Sequence, residues 1–102
     1  KIDVEGWEAH VLAGMQLTLA DPRLKAVISE TNQSAQRYTD SGIAQVFDIM
    51  TGCGFEPYSY NAIKRRLVAG VGAHNTIFVR DLDFIQNRVL QAPRFETVTG
   101  SI

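Results

Sequence analysis

Apolar residues recur along the chain with two different periods, and the changes of period mark the elements. Ile2 and Val4 alternate with Lys1 and Asp3, which predicts a short strand over 2–4. After Gly6 the period lengthens. Trp7, Val11 and Met15 recur every four residues, with Leu12 and Leu19 on the same side, and this predicts a helix with Trp7 in the core. Glu5 and Glu8 stand in its first turn, where the helix dipole favours negative charge. Gly14 closes the first stretch, and a second short turn runs through Leu19. Asp21-Pro22 ends it, because proline disfavours helix in the residue before it.

The run Ala26-Val27-Ile28 lacks alternation, so 24–29 reads as a strand buried on both faces of a parallel sheet, with Glu30 at its C-terminal end. The polar stretch 31–40 reads as a loop. Ile43, Val46, Phe47 and Met50 fit the i, i+3, i+4, i+7 template of a helix. Asp40 or Ser41 can cap its start and Gly52 or Gly54 its end. Residues 55–60 read as a strand, which Pro57 makes an edge or irregular one. Residues 62–72 form a turn or excursion carrying Lys64-Arg65-Arg66, a basic run that reads as a solvated turn, with contact to a phosphorylated or acidic acceptor as the alternative. A strand over 75–80 follows, then a helix capped by Asp81 with Leu82, Ile85 and Val89 on one face. The tail from Pro93 has weak patterning. The order strand, helix, strand, helix, strand, strand, helix predicts an α/β layer, mostly parallel, with one antiparallel strand near an edge.

Composition narrows the class. The 102 residues suffice for one domain. With 45% hydrophobic and 21% charged residues, a disordered tail, a collagenous repeat and a coiled coil are excluded. Ten basic against eleven acidic residues leave a net charge of −1, which argues against a nucleic-acid partner. No apolar run approaches the roughly 20 residues needed to cross a bilayer, so no membrane partner is expected. Cys53 stands alone, which rules out an internal disulfide and suits a cytoplasmic protein. The chain enters a strand at Lys1 without methionine or leader, so the expectation is a piece of a longer protein.

The first candidates for chemistry are Asp3 and Glu5, two apart at the end of the first strand, and therefore on one face if extended. Glu30 ends the next strand. If the two strands are neighbours, three carboxylates converge, able to act as a base, hold a cation or accept hydrogen bonds from hydroxyls or an ammonium. The plainer alternative gives Glu5 and Glu8 to the helix dipole and Glu30 to solvent. His10 and His74 read as surface histidines, although His74 precedes the last strand and can approach the same pocket. A metal held by Asp3, Glu5, Glu30 and His74 is conceivable, but nothing in the spacing demands one. Gly70-Val71-Gly72 lacks a third glycine and leads into a strand, so it is not a dinucleotide loop. Cys53 has no nearby histidine to activate it. Asn32-Gln33-Ser34 matches a glycosylation sequon only by chance.

Lys1-Ile2-Asp3-Val4-Glu5-Gly6-Trp7-Glu8, followed by Val11-Leu12-Ala13-Gly14, resembles the KIDVEG-x-E … VL-x-G signature of the FkbM-type methyltransferases. Ala26-Val27-Ile28-Ser29-Glu30, Gly52-Cys53-Gly54-Phe55 and Asn75-Thr76-Ile77-Phe78-Val79-Arg80 are similar to later segments of that family, in the same order. The resemblance spans residues 1 to about 80. It implies the C-terminal portion, over 1–102, of a single Rossmann-like class I methyltransferase domain, whose N-terminal cofactor-loop half is absent. The activity implied is transfer of a methyl group from S-adenosylmethionine to a hydroxyl of a small-molecule acceptor. Asp3 and Val4 would then lie at the cofactor rim. Asp3, Glu5 and Glu30 would be the catalytic candidates, and Glu8 and His74 would be substrate-binding. Sheet edges left by truncation favour a homo-oligomer. The competing expectation is a non-catalytic α/β interaction module that binds no cofactor.

Overall fold

The computed structural model describes residues 1–32 and 42–102. The proposed cap at Asp40 or Ser41, most of the 31–40 loop and the end of the sequon lie outside them. The chain starts with α1 (Glu8–Gly14) and α2 (Gln16–Ala20), separated at Met15. This is the two-part helix that Gly14 and Leu19 suggest. β1 (Ala26–Glu30), α3 (Gly42–Gly52), β2 (Glu56–Asn61), β3 (Arg66–Ala69), β4 (Asn75–Val79) and α4 (Leu82–Gln91) follow. Two short strands, β5 (Glu96–Thr97) and β6 (Gly100–Ser101), close the chain as an antiparallel pair.

The sheet departs from the expected one. Its order is β1-β4-β2-β3, and every adjacent pair is antiparallel. The mostly parallel, Rossmann-like class I methyltransferase sheet is therefore not the fold of this chain. The parallel contact seen among the described residues is a single bridge between Ile2 and Ser29. The expectation of a strand over 2–4 shrinks to that bridge. Two features account for the difference. Residues 62–72 are not one turn, because Arg66–Ala69 extends and pairs with β2, and so moves β2 from the edge to the interior. β4 then runs between β1 and β2, antiparallel to both. Pro57 is accommodated there because its carbonyl accepts from the Gly70 amide at 3.0 Å, although its nitrogen can donate nothing.

Strand side chains alternate between faces, and the two faces differ. In β1, Val27 and Ser29 are buried, whereas Ile28 is 36% exposed. The strand is thus covered fully on one face only, not on both. Val27 and Phe78 pack with Leu12 of α1, Leu19 of α2, and Val46 and Met50 of α3, and Phe47 meets the Phe78 ring edge-on at 5.2 Å. Trp7 is not in this core. It is 57% exposed and tilts against His10, while Glu8, Ala9 and Leu12 form the buried side of α1. Four-residue spacing predicted the helix correctly and its buried face incorrectly, because Trp7 precedes the first helical turn.

The opposite face is only partly covered, by α4. Asp81 caps that helix as its sequence position suggests, accepting from the Phe84 amide at 3.1 Å. Before β4 the chain turns so tightly that a Cβ on Gly72 would lie 1.9 Å from the Asn75 carbonyl oxygen. Only glycine fits there, which gives this glycine a structural role.

Candidate functional site: a carboxylate cluster beside the first bridge

The Ile2–Ser29 bridge positions the cluster. The Ile2 amide donates to the Ile28 carbonyl at 2.8 Å, and the Glu30 amide donates to the Ile2 carbonyl at 3.4 Å. Residues 3–5 therefore emerge beside the C-terminal end of β1, where Glu30 stands. A turn then reverses the chain. Glu5 adopts φ 53° and Gly6 φ 99°, and the Trp7 amide donates to the Val4 carbonyl at 3.3 Å. A left-handed conformation costs a residue other than glycine roughly 1–2 kcal/mol, so the surrounding contacts must hold Glu5 in place. One such contact is Glu8, whose Oε1 accepts from the Val4 amide at 3.0 Å.

The carboxylates of Asp3, Glu5 and Glu30 each offer an oxygen within 4.8 Å of the others. Asp3 and Glu5 are exposed and Glu30 is half-buried. Lys1 Nζ lies 2.6 Å from Asp3 Oδ2, and this hydrogen bond with its charge attraction raises the Lys1 ammonium above its ordinary value. Glu30 Oε1 accepts from Asn32 Nδ2 at 2.5 Å, but the buried Oε2 has no hydrogen-bond partner. A buried acceptor without a donor is costly, so this oxygen is the point where a donor or cation would gain most. The set can take a proton, accept hydrogen bonds from hydroxyl or ammonium groups, or hold a hard cation through three oxygens.

The other sequence candidates fall into two groups. Val4 borders the cluster and is half exposed. Glu8 is buried and bonded to backbone, so its carboxylate serves the turn. His74 is exposed, and its carbonyl accepts from the Thr31 amide at 2.8 Å. Its ring is not in the carboxylate group. Thr31 in turn shares a 2.7 Å hydroxyl bond with Thr76, and this ties the end of β1 to β4. Sequence reasoning did not separate Arg65 from its two basic neighbours. Within a basic run it reads as solvated, yet it is 8% exposed. The signal lies in backbone geometry, since Arg65 sits at φ 49° at the mouth of the β2–β3 hairpin.

Comparison with models of protein families, with curated proteins and with solved structures finds no match for this chain. Among the described residues no helix is long and apolar enough to cross a membrane.

Proposed function

We propose that the chain supplies the acceptor side of a cytoplasmic S-adenosylmethionine-dependent methyltransferase acting on a hydroxyl of a small molecule. The convergence of Asp3, Glu5 and Glu30 carries this reading. The Lys1–Gly14 motif resemblance supports it; the sheet topology does not. The donor-seeking Glu30 Oε2 and its two acidic neighbours fit the ammonium and hydroxyl groups that such a cofactor and acceptor present. When bound, the cofactor supplies an electrophilic methyl group on a sulfonium. Asp3 or Glu5 then orients the acceptor hydroxyl and takes its proton, since both carboxylates are exposed at the rim. Glu30, half-buried beside them, holds the ligand through Oε2.

The test is methyl transfer from isotopically labelled S-adenosylmethionine to sugar, polyketide and other hydroxyl acceptors by the full natural polypeptide. Asp3→Asn is expected to lower turnover by about 100-fold or more while leaving the melting temperature unchanged, because Asp3 is exposed. Turnover equal to the parent in Asp3→Asn, Glu5→Gln and Glu30→Gln alike would sink the proposal. So would a parent protein that methylates no acceptor.

A further inference from the structure

A second site lies on the α4 face of the sheet. Arg65 is nine-tenths buried, and its Nη2 donates to the carbonyls of Val89 (2.5 Å) and Ala92 at the end of α4. A cation at a helix C-terminus is favourable, which explains why the guanidinium is there. It does not explain the rest of the group. Nε and Nη1 have no protein partner, and no carboxylate pairs with Arg65 among the described residues. These nitrogens keep contact with solvent at the cavity beside them, so they are free to meet an anion there.

The space beside Arg65 is apolar. A cavity of about 260 Å³ is walled by Tyr60, Val89, Pro93 and Phe95 together with Arg65. It adjoins a second of about 310 Å³, which shares Tyr60 and Val89 and continues over Ile28, Leu67, Ile77 and Ile85. Each is close to or within the range of small-molecule pockets, roughly 300–1,000 Å³. Cross-strand register places Ile28 against Ile77 and Tyr60 against Leu67, so one strip of hydrocarbon crosses all four strands. One unpaired cation at the end of an apolar groove matches a ligand with one anionic end and an aliphatic body.

We infer that this groove binds an aliphatic carboxylate, with its head on the free Arg65 guanidinium edge and its chain between α4 and the Ile28–Ile77 strip. The guanidinium fork suits a carboxylate, and the groove wall offers the tail nothing polar except the rim of Tyr60. None of Asp3, Glu5 and Glu30 lines this groove, and the inference does not depend on the methyltransferase reading.

Decanoate titrated into the full natural polypeptide, below its micellar concentration, is expected to bind at one equivalent with a Kd below 1 mM. Decan-1-ol, with the same chain and no charge, should bind about 10-fold or more weakly. Ile28→Asp places a negative charge on an exposed groove position and should weaken decanoate about 10-fold while the protein stays folded. Arg65→Met should do the same if it folds; the first two comparisons decide the matter if it does not. Equal affinity for decanol and decanoate would overturn the role of Arg65. Absence of saturable binding would overturn the site. So would a dimer that Ile28→Asp dissociates and decanoate does not, since a second copy would then occupy the strip.

Discussion

The two faces of the four-stranded sheet are built from the same kinds of residue but finished differently. On the α1–α3 face, Phe78, Val27, Leu12, Val46 and Met50 interlock, and none of them is more than marginally exposed. On the α4 face, Ile28 is 36% and Tyr60 45% exposed, and α4 contains no buried residue. Cover explains the contrast. Two helical elements, α1 and α3, pack against each other as well as against the sheet, whereas α4 lies alone and chiefly against β3. Stability is therefore concentrated on one face, while the other is left free to bind.

The largest expected effect tests this division directly. Phe78→Ala, on the closed face, should cost about 3–5 kcal/mol of unfolding free energy in urea melts. Ile28→Ala, in the neighbouring strand on the open face, should cost only about 1 kcal/mol. Equal losses would mean that the open face is as tightly packed as the closed one.

A smaller effect concerns how the closed face is fastened. Arg80 donates to the carbonyls of Asp21 (2.9 Å), Cys53 (3.1 Å) and Leu19, and lies 4.1 Å from the centre of the Phe55 ring. It thus ties β4 to the ends of α2 and α3. Arg80→Lys keeps the charge but not the planar fork, and should cost about 2 kcal/mol by the same measurement. An unchanged lysine variant would show that charge alone holds these ends.

The smallest effect belongs to the open face. The Phe84 amide, and then Lys25, hold the Asp81 carboxyl below its ordinary range. A lowered folded value means that the stabilisation is complete above the ordinary carboxylate range and is lost as pH falls through the lowered value. Asp81→Asn keeps the cap but not the charge, and should therefore melt slightly below the parent near neutral pH. That gap should close as the pH is taken below the ordinary carboxylate range. A gap independent of pH would assign the effect to the amide's shape and not to charge.

Most helices were legible from periodicity. The Asp81 cap, the break after Gly14 and the stop at Asp21-Pro22 are local events, decided within a few residues by hydrogen bonds and backbone sterics. The carboxylate cluster was legible conditionally. Asp3, Glu5 and Glu30 carry the right chemistry, but their meeting depends on Ile2 bridging Ser29, a contact across 27 residues of sequence. Strand direction was not legible. A short apolar run such as Ala26-Val27-Ile28 suits a buried strand of a parallel sheet and of an antiparallel one.

Sequence alone thus accounts for where the chain coils and stops, for a balanced charge and for the acidic residues near Lys1 and at Glu30. Those properties come from neighbours a turn or less away. The antiparallel sheet, the exposure of Trp7 and the burial of Arg65 were settled only when distant segments packed together. The passage of β4 between β1 and β2 sets the strand order, and the end of α4 supplies the carbonyls that hold Arg65. β4 lies 45 or more residues from its partners in β1, and the end of α4 lies 24 or more from Arg65, so no local pattern could have announced either contact.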